Sequence, residues 1–223
     1  MTGVTKPPVD VVYKIVDTGY MPVPVSTRDR LVDTARTYLD EEGIDGIGLR
    51  EIARRAGLSH GAPLRHFPTL GRLLATVAAA GFRDLYASIE VATSAVNPTD
   101  PIARLDAASF GYVRFAASSP GVFGLMFRSD LCDTGDPEYA TEGGAAFGQL
   151  VGLVVDAQAA GFHPDLVPAE LAGVLWSTMH GLASLHLHGA LAPTTGQSDL
   201  DALVRIANRL AFGARAFTAK EPS

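Results

Sequence analysis

Apolar residues recur at intervals of three and four positions through almost the whole chain after Ser26, which is the spacing of one face of an α-helix. The breaks between these stretches carry Gly, Pro, Asp or Thr, residues that commonly begin or end helices. No stretch of useful length alternates apolar and polar residues, so the pattern predicts an all-α protein. Residues 1–25 mix prolines, glycines and short apolar pieces, and we expect them to form an irregular arm.

Four helices are predicted in the first part of the chain. Ser26 or Thr27 can cap the first helix, and Gly43 follows its last residue. A third helix is expected to begin after Ser59, and the fourth is the longest. The predicted ranges are 28–42, 49–56, 60–67 and 68–96.

Five more helices are predicted in the second part, over residues 101–118, 120–127, 138–160, 168–187 and 200–217. The composition changes along the long fourth helix. We therefore expect an arm over residues 1–25, a small N-terminal domain over 26–72 and a larger helical domain over 73–223.

Charge is distributed unevenly along the chain. The 223 residues carry a net charge of −6, and 47% of them are hydrophobic, which excludes a mainly disordered chain. Residues 50–72 nevertheless hold five arginines against one glutamate, a local balance of +4, whereas 1–49 sum to −3 and 73–223 to −7. Such a segment is typical of one face that meets a polyanion. A solvated helix face is the alternative interpretation.

The sequence predicts a cytoplasmic protein without a membrane span. Residues 171–191 lack Asp, Glu, Lys and Arg but hold three histidines, which are costly at the centre of a bilayer, so a buried helix is expected there. Cys132 is the only cysteine, so an internal disulfide is impossible. Aspartates surround Cys132 in the sequence and disfavour its thiolate, so we do not expect a reactive nucleophile.

The basic segment has the pattern of a helix-turn-helix. Residues 49–67 read L-R-E-I-A-R-R-A-G-L-S-H-G-A-P-L-R-H-F. Ala53 is small enough for two helices to cross closely, Gly57 can adopt the left-handed conformation of a tight turn, and Ser59 can cap the second helix. In this motif the second helix enters the major groove of DNA.

These residues resemble the tetracycline-repressor (TetR) family of bacterial transcriptional regulators. The resemblance covers residues 28–77 and rests on R-E-I-A-R-R-A-G-L-S at 50–59, on R-H-F-P at 65–68 and on the leucine pair at 73–74. Trp176 and the pair His180-Gly181 are similar to a C-terminal motif of one subgroup of the family. The resemblance implies a three-helix helix-turn-helix domain followed by a larger ligand-binding and dimerisation domain.

Three positions depart from the family pattern. Gly48, Leu64 and Leu70 stand where the family often has Ser or Thr, Tyr and Lys, residue types that usually touch DNA phosphate. Gly48 can still cap a helix. The two leucines either meet a thymine methyl group or pack inside the protein. We therefore expect the arginines to supply more of the DNA affinity than is usual in the family.

The expected recognition helix contains Pro63, which lies four residues after Ser59 and so removes only the first intrahelical hydrogen bond. For His66, a structural role in capping or packing is the alternative to DNA contact. The residues expected to form the DNA-binding surface are Arg50, Arg54, Ser59, His60, Gly61, Ala62, Leu64, Arg65, His66 and Arg72.

A ligand pocket and a dimer interface are predicted in the larger domain. The pocket candidates are Phe110, Phe115, Met126, Phe127, Trp176 and His180. Ordinary core packing is the alternative for this set, and a hydrogen-bonded core histidine is the alternative for His180. The last two helices are expected to form a four-helix bundle with a second copy through Leu171, Leu175, Leu182, Leu185, Leu203, Ala207, Leu210 and Ala214.

The sequence thus predicts a homodimeric repressor that binds double-stranded operator DNA and, as the resemblance implies, is released by a small, mostly apolar effector. The alternative is an all-helical enzyme or ligand carrier with a vestigial helix-turn-helix. The chain contains no H-x-x-x-H, C-x-x-C or G-x-S-x-G sequence. We therefore expect no catalytic residues, no metal and no cofactor.

Overall fold

The structure, a computed structural model, describes residues 26–59 and 61–213. These residues form ten α-helices and no strand, as the apolar spacing predicts. The helices are α1 (Thr27–Glu42), α2 (Leu49–Arg55), α3 (Ala62–His66), α4 (Leu70–Ser94), α5 (Pro101–Ser118), α6 (Pro120–Met126), α7 (Pro137–Ala159), α8 (Pro168–Leu187), α9 (Leu191–Thr195) and α10 (Leu200–Phe212).

The first three helices form the predicted helix-turn-helix domain. The hydroxyl of Ser26 caps α1 by accepting a hydrogen bond from the amide of Asp29 at 3.1 Å. The turn after α2 uses Gly57 at φ +67°, a left-handed conformation that glycine adopts without strain. The amide of Leu58 then closes the turn on the carbonyl of Ala53 at 2.9 Å. Helix α1 and the buried residues of α2 therefore form the packed side of the domain.

The expected recognition helix, α3, is shorter than the sequence predicts. It begins at Ala62 with Gly61 at the N-cap and no side-chain cap, so the prediction that the Ser59 hydroxyl caps it is wrong. The Ser59 carbonyl instead accepts a hydrogen bond from the amide of Ala62 at 3.0 Å. Pro63 thus lies in the first turn, where an amide has no helical partner and proline is tolerated. Buried Pro63 and Phe67 anchor the two ends of α3.

One continuous helix, α4, joins the two parts of the chain. The hydroxyl of Thr69 caps it by accepting a hydrogen bond from the amide of Arg72 at 3.2 Å. Its N-terminal half buries leucines, alanines and Val77, and the helix packs on α1, α5, α6 and α7. The expected domain boundary at residues 72–73 falls inside α4. No flexible linker therefore separates the two parts.

The larger domain is built around α4. Helices α5, α6 and α7 pack against it, and α8 packs on α5 and α7. Helix α10 lies on α5 and α8. The buried residues of both parts form one continuous core, so the orientation of the small domain depends on packing against the larger one.

The small domain lies very close to the larger one at Gly121 of α6. A methyl group at Gly121 would lie 2.1 Å from the carbonyl oxygen of Leu39 in α1, closer than any real contact. The amide of Gly121 also donates a hydrogen bond to the carboxylate of Asp40 at 3.0 Å. On the other side of α6, a methyl group at Gly81 of α4 would meet Val122 at 2.6 Å. Two glycines therefore let α6 lie between α1 and α4.

Two further predictions at the C-terminal end need correction. Helix α9 was not expected, because its five residues are too few to show a periodic pattern. Helix α10 ends at Phe212 rather than at residue 217, because Gly213 adopts φ +76° at the C-cap. The predicted arm over residues 1–25 lies outside the described residues.

We predict that Gly121→Ala destabilises the protein by about 2 kcal/mol or more, because the added methyl group forces the backbones of α1 and α6 apart. Gly124→Ala in the same helix is the matched control, since nothing lies within 4 Å of its missing side chain. The control should be neutral or slightly stabilising, because alanine favours helix over glycine. Urea unfolding of both variants tests this, and equal midpoints would contradict the close contact.

Candidate nucleic-acid interface and effector cavity

The outer face of α3 is exposed and carries polar and apolar side chains together. Leu64 is 60% exposed, and Arg65 and His66 beside it are also exposed. Leu64 is the most exposed large apolar side chain of the small domain. The two leucines that depart from the family pattern were expected either to meet a thymine methyl group or to pack inside the protein. Leu64 is exposed and available for contact, whereas Leu70 is partly buried against the core.

The arginines of residues 50–72 differ in whether they form ion pairs with carboxylates. Arg50 and Arg65 are exposed, and neither forms an ion pair within residues 26–59 and 61–213. Arg54 is also exposed, but its guanidinium lies 2.6 Å from the carboxylate of Glu51 in the same helix. Arg50 and Arg65 therefore have the least competition for an external anion.

Arg55 has a structural role. Its guanidinium pairs with Glu41, Glu42 and Glu51 and lies over the ring of Tyr38 at 4.5 Å. These contacts join the C-terminal end of α1 to α2. Hydrogen bonds from Arg54 and Arg55 lower the pKa of Glu51 to about 2.

Arg72 lies at the start of α4, and acidic residues of the loop before α7 hold it. Its guanidinium lies 3.3 Å from the carboxylate of Asp136 and 3.5 Å from that of Asp133. The amide of Asp133 also donates a hydrogen bond to the carbonyl of Gly71 at 3.1 Å. Arg72 was predicted to contact DNA; in this structure it joins the start of α4 to the loop before α7.

The remaining residues expected at the DNA surface lie on α2, in the turn or on α3. Ser59 and Gly61 are exposed, and Ala62 is half-buried. His60 lies outside the described residues. Gly48 occupies the N-cap of α2 without a side-chain hydrogen bond, as expected for a glycine cap.

A cavity of about 420 Å³ lies in the larger domain between α4, α5, α7 and α8. Three of the predicted pocket residues, Met126, Phe127 and Trp176, line it. Phe110 and Phe115 do not line it, so their assignment is corrected: Phe115 is buried in the core, and Phe110 lies under the guanidinium of Arg114. The further lining residues are Phe82, Leu85, Ile89, Leu105, Ala108, Ser109, Tyr112, Tyr139, Ala140, Gly143, Gly144, Ala146, Phe147, Leu150, Leu153, Leu175, Met179 and Phe212.

A hydrogen-bonded cluster lies at one wall of this cavity. The indole N–H of Trp176 donates to the hydroxyl of Tyr112 at 3.0 Å, and this hydroxyl also bonds Nδ1 of His180 at 2.9 Å. Burial lowers the pKa of His180 and raises that of Tyr112, so both groups are neutral near pH 7. His180 was predicted to line the pocket, but it does not; it is bonded to Tyr112, which does.

The first turn of α7 touches both the cavity and the small domain. Tyr139 lines the cavity, and three residues earlier the buried Asp136 caps α7 by accepting the amide of Glu138 at 2.8 Å. The same Asp136 side chain pairs with Arg72. The carboxylate of Glu138 lies 3.5 Å from the guanidinium of Arg28 in α1. The first turn of α7 therefore connects the cavity residue Tyr139 with α1 and with the start of α4.

The residues predicted for the dimer interface divide between core and surface. Leu171 is buried, so its assignment to the interface is corrected. Leu185 and Leu210 are 49% and 82% exposed, and Ala214 lies outside the described residues. Val174 and Ile206, on the same two helices, are also exposed and were not among the predicted residues. The residues that pack partly against the core are Leu175, Leu182, Leu203 and Ala207.

Cys132 was predicted to be unreactive, and neither a metal site nor a membrane span was expected. Burial, and secondarily Asp130, raises the pKa of the Cys132 thiol to about 11. Within the described ranges, no three metal-binding side chains come together. Among the helices of these same ranges, none is long and apolar enough to cross a bilayer.

Two family models match the chain, one in each domain. Residues 31–76 match the bacterial regulatory proteins of the tetR family, and residues 105–209 match the tetracyclin repressor-like C-terminal domain. The chain belongs to the TetR family. It is therefore a DNA-binding, ligand-responsive transcription regulator, and the alternative of an all-helical enzyme or carrier is not favoured. The likeness of Trp176 and His180-Gly181 to one subgroup stays a prediction.

Solved structures share the fold of this TetR family regulator along most of its length. A Rhodococcus sp. RHA1 protein with unknown function is 31% identical, with 84% of this chain and 94% of that chain covered and a TM-score of 0.74. A TetR family regulator from Marinobacter aquaeolei VT8 is 16% identical, with 83% and 93% covered and a TM-score of 0.64. The fatty acid degradation regulator FadR from Bacillus halodurans is also 16% identical, with 86% and 97% covered and a TM-score of 0.63. No curated protein matches the chain.

Most of the residues that line the cavity of the regulator were not predicted from the sequence. One readable signal was present on α7, where Tyr139, Gly143, Ala146 and Leu150 follow each other at helical spacing and all line the cavity. Phe82 of α4 could not be found in this way. Its contact with Tyr139 joins helices that are far apart in the sequence.

We predict that Glu51→Gln lowers the stability of the regulator at neutral pH and that its effect disappears in acid. The pKa of Glu51 is about 2 in the folded protein against 4.5 for a free side chain, so its stabilising effect is complete above pH 4.5. It is lost as the pH falls towards 2. Thermal melting of the wild type and the variant between pH 2 and 7 measures this difference. Glu170→Gln, which alters an exposed carboxylate on α8, is the control, and a gap between wild type and Glu51→Gln that stays constant with pH would contradict the assignment.

Proposed function

We propose that the chain acts in the cytoplasm as a homodimeric repressor that leaves its operator when a small, mostly apolar effector fills the cavity. The observation that carries the proposal is the exposed face of α3, where Leu64 and Arg65 stand clear of the core and of any carboxylate in the described part of the chain. The family membership supports repression as the mode of action.

Arg65 is the residue best placed to read a base. It lies on the helix that enters the major groove in this motif, and its guanidinium can bond a guanine through two hydrogen bonds. Leu64 beside it offers an apolar surface for a thymine methyl group, and small Gly61 and Ala62 allow close approach of the helix. Arg50 and Arg54 are assigned to phosphate contacts, which orient the domain on the duplex.

A second copy is expected on the exposed faces of α8 and α10. Val174, Leu185, Ile206 and Leu210 are large apolar side chains left in solvent on these two neighbouring helices. Pairing them with their symmetry mates forms a four-helix bundle and removes their apolar area from water. The two α3 helices of such a dimer can reach successive major grooves about 34–36 Å apart.

The cavity is the proposed effector site because its wall is connected to the DNA-binding domain. An effector that moves Tyr139 acts on Asp136 and Glu138 in the first turn of α7, which pair with Arg72 and Arg28 of the small domain. Release from DNA then requires only that the effector bind the rearranged state more tightly than the DNA-bound one.

We predict that Arg65→Ala weakens binding to an operator duplex, selected from random DNA, by about 5- to 150-fold, or about 1–3 kcal/mol. Arg114→Ala removes an exposed arginine of the larger domain and should leave the affinity unchanged. With about eight phosphate contacts the wild type has a slope of log K against log salt near −7. A base contact leaves this slope unchanged in Arg65→Ala. Unchanged affinity would remove Arg65 from the interface.

Leu210→Glu is predicted to shift the chain from dimer to monomer, because it places a charge on the proposed apolar interface. Val91→Glu is the matched control, since Val91 is similarly exposed on α4, away from α8 and α10. Sedimentation equilibrium of both variants measures the association. A Leu210→Glu variant that dimerises like the wild type would contradict this interface.

A further inference from the structure

The lining of the effector cavity contains no charged side chain. Its residues are aliphatic, aromatic or glycine, apart from the hydroxyls of Ser109, Tyr112 and Tyr139 and the indole N–H of Trp176. An ionised ligand would lose its hydration on entering and would meet no opposite charge in return. The cavity therefore disfavours carboxylates and phosphates.

The hydrogen-bond donors of the lining are already used inside the protein. The Tyr139 hydroxyl donates to the carbonyl of Met126 at 3.0 Å, and the Ser109 hydroxyl donates to that of Leu105 at a longer 3.4 Å. The indole N–H of Trp176 donates to Tyr112. A ligand that needs a donor from the protein must first break one of these bonds.

When the proton of the neutral His180 ring is on Nε2, Tyr112 has no proton left for a ligand. The ring of His180 is neutral, so Nδ1 can accept a hydrogen bond, and the hydroxyl of Tyr112 lies 2.9 Å from it. In that tautomer the hydroxyl of Tyr112 donates to Nδ1 of His180, and its oxygen accepts from the indole N–H of Trp176. Tyr112 thus uses its proton inside the protein.

What the lining still offers is acceptor capacity. A hydroxyl oxygen that donates its own proton keeps lone pairs that can accept another hydrogen bond. Tyr139 and Ser109, on α7 and α5, are the lining hydroxyls whose oxygens accept no hydrogen bond within the described residues. A ligand hydroxyl could bond either oxygen without displacing an existing bond.

On the basis of the proposed effector site, we infer that the cavity selects an uncharged, mainly apolar molecule that carries a hydroxyl group, such as an alcohol or a phenol. It rejects the carboxylic acid of the same skeleton because of charge. It also disfavours the corresponding ether, because an ether can only accept hydrogen bonds. The volume of about 420 Å³ suits a molecule of drug-like size or smaller.

Trp176 makes the test direct, because it is the only tryptophan of the chain and lines the cavity. The full-length protein is titrated at pH 7 with 1-decanol, decanoate and decyl methyl ether, all below their aggregation limits, while tryptophan fluorescence is followed. Decanol should bind at least about tenfold more tightly than decanoate. It should also bind about 2- to 10-fold more tightly than the ether, the range expected for one hydrogen bond.

A double variant tests the two acceptor oxygens. Ser109→Ala combined with Tyr139→Phe should remove the preference for decanol over the ether while the ether binds as before. Tyr86→Phe alters a tyrosine of α4 that does not line the cavity and should keep the wild-type preference. Thermal melting of each variant verifies that it is folded.

The outcomes separate this inference from the repressor function on which it rests. Decanoate binding as tightly as decanol, no decanol binding, or an unchanged preference in a folded double variant would overturn the ligand class. Operator affinity is measured in parallel with and without decanol. Selective decanol binding without operator release would uphold the ligand class and contradict effector control by this cavity.

Discussion

The contact between α1 and α6 limits how the DNA-binding domain can be oriented. At Gly121 the backbone of α6 comes so close to the carbonyl of Leu39 that no side chain fits between them. Helix α4 continues from the small domain into the larger one without a break. The small domain therefore cannot turn on a linker, and any change in its orientation requires α4, α6 or α7 to shift within a close-packed core. The cavity of the proposed effector site lies among these same helices, so a ligand there would contact the helices that hold the DNA-binding domain.

Ion pairing distinguishes the arginines that join parts of the fold from those that stay exposed. Arg55 and Arg72 are held by carboxylates that join α1 to α2 and α4 to the loop before α7. Arg50 and Arg65 stay exposed and unpaired within the described residues. The local charge of +4 thus overstates the surface available to an anion. The lining of the cavity, by contrast, carries no charged side chain, and the nearby Asp136 and Glu138 pair with Arg72 and Arg28 of the small domain.

Much of the fold was predictable because the responsible signals are local. Helical spacing, caps such as Ser26 and Thr69, and the glycine turn at Gly57 are all read from neighbouring residues. The start of α3 was predicted too early. A helix that began directly after Ser59 would place Pro63 beyond its first turn, whereas the helix that begins at Ala62 holds Pro63 within its first turn. The five-residue α9 was missed because it is shorter than two turns.

The candidate sites were less predictable because they depend on which helices meet. Phe110, Phe115 and Phe127 are all phenylalanines of the larger domain, and the sequence does not distinguish between them. Only Phe127 lines the cavity. The pairing of Arg72 with Asp136 joins residues 64 positions apart, and no local pattern indicates it. By contrast, the exposed face of α3 could be assigned from sequence, since the motif itself specifies which helix faces outward.

The most direct test of the account is to select duplexes from random DNA with the full-length protein and to map the protected bases on the selected sequence. Two copies of α3 related by two-fold symmetry should select an inverted repeat and protect two major grooves on one side of the duplex. Failure to enrich any sequence over competitor DNA, or a single unrepeated site protected by one copy, would contradict this expectation.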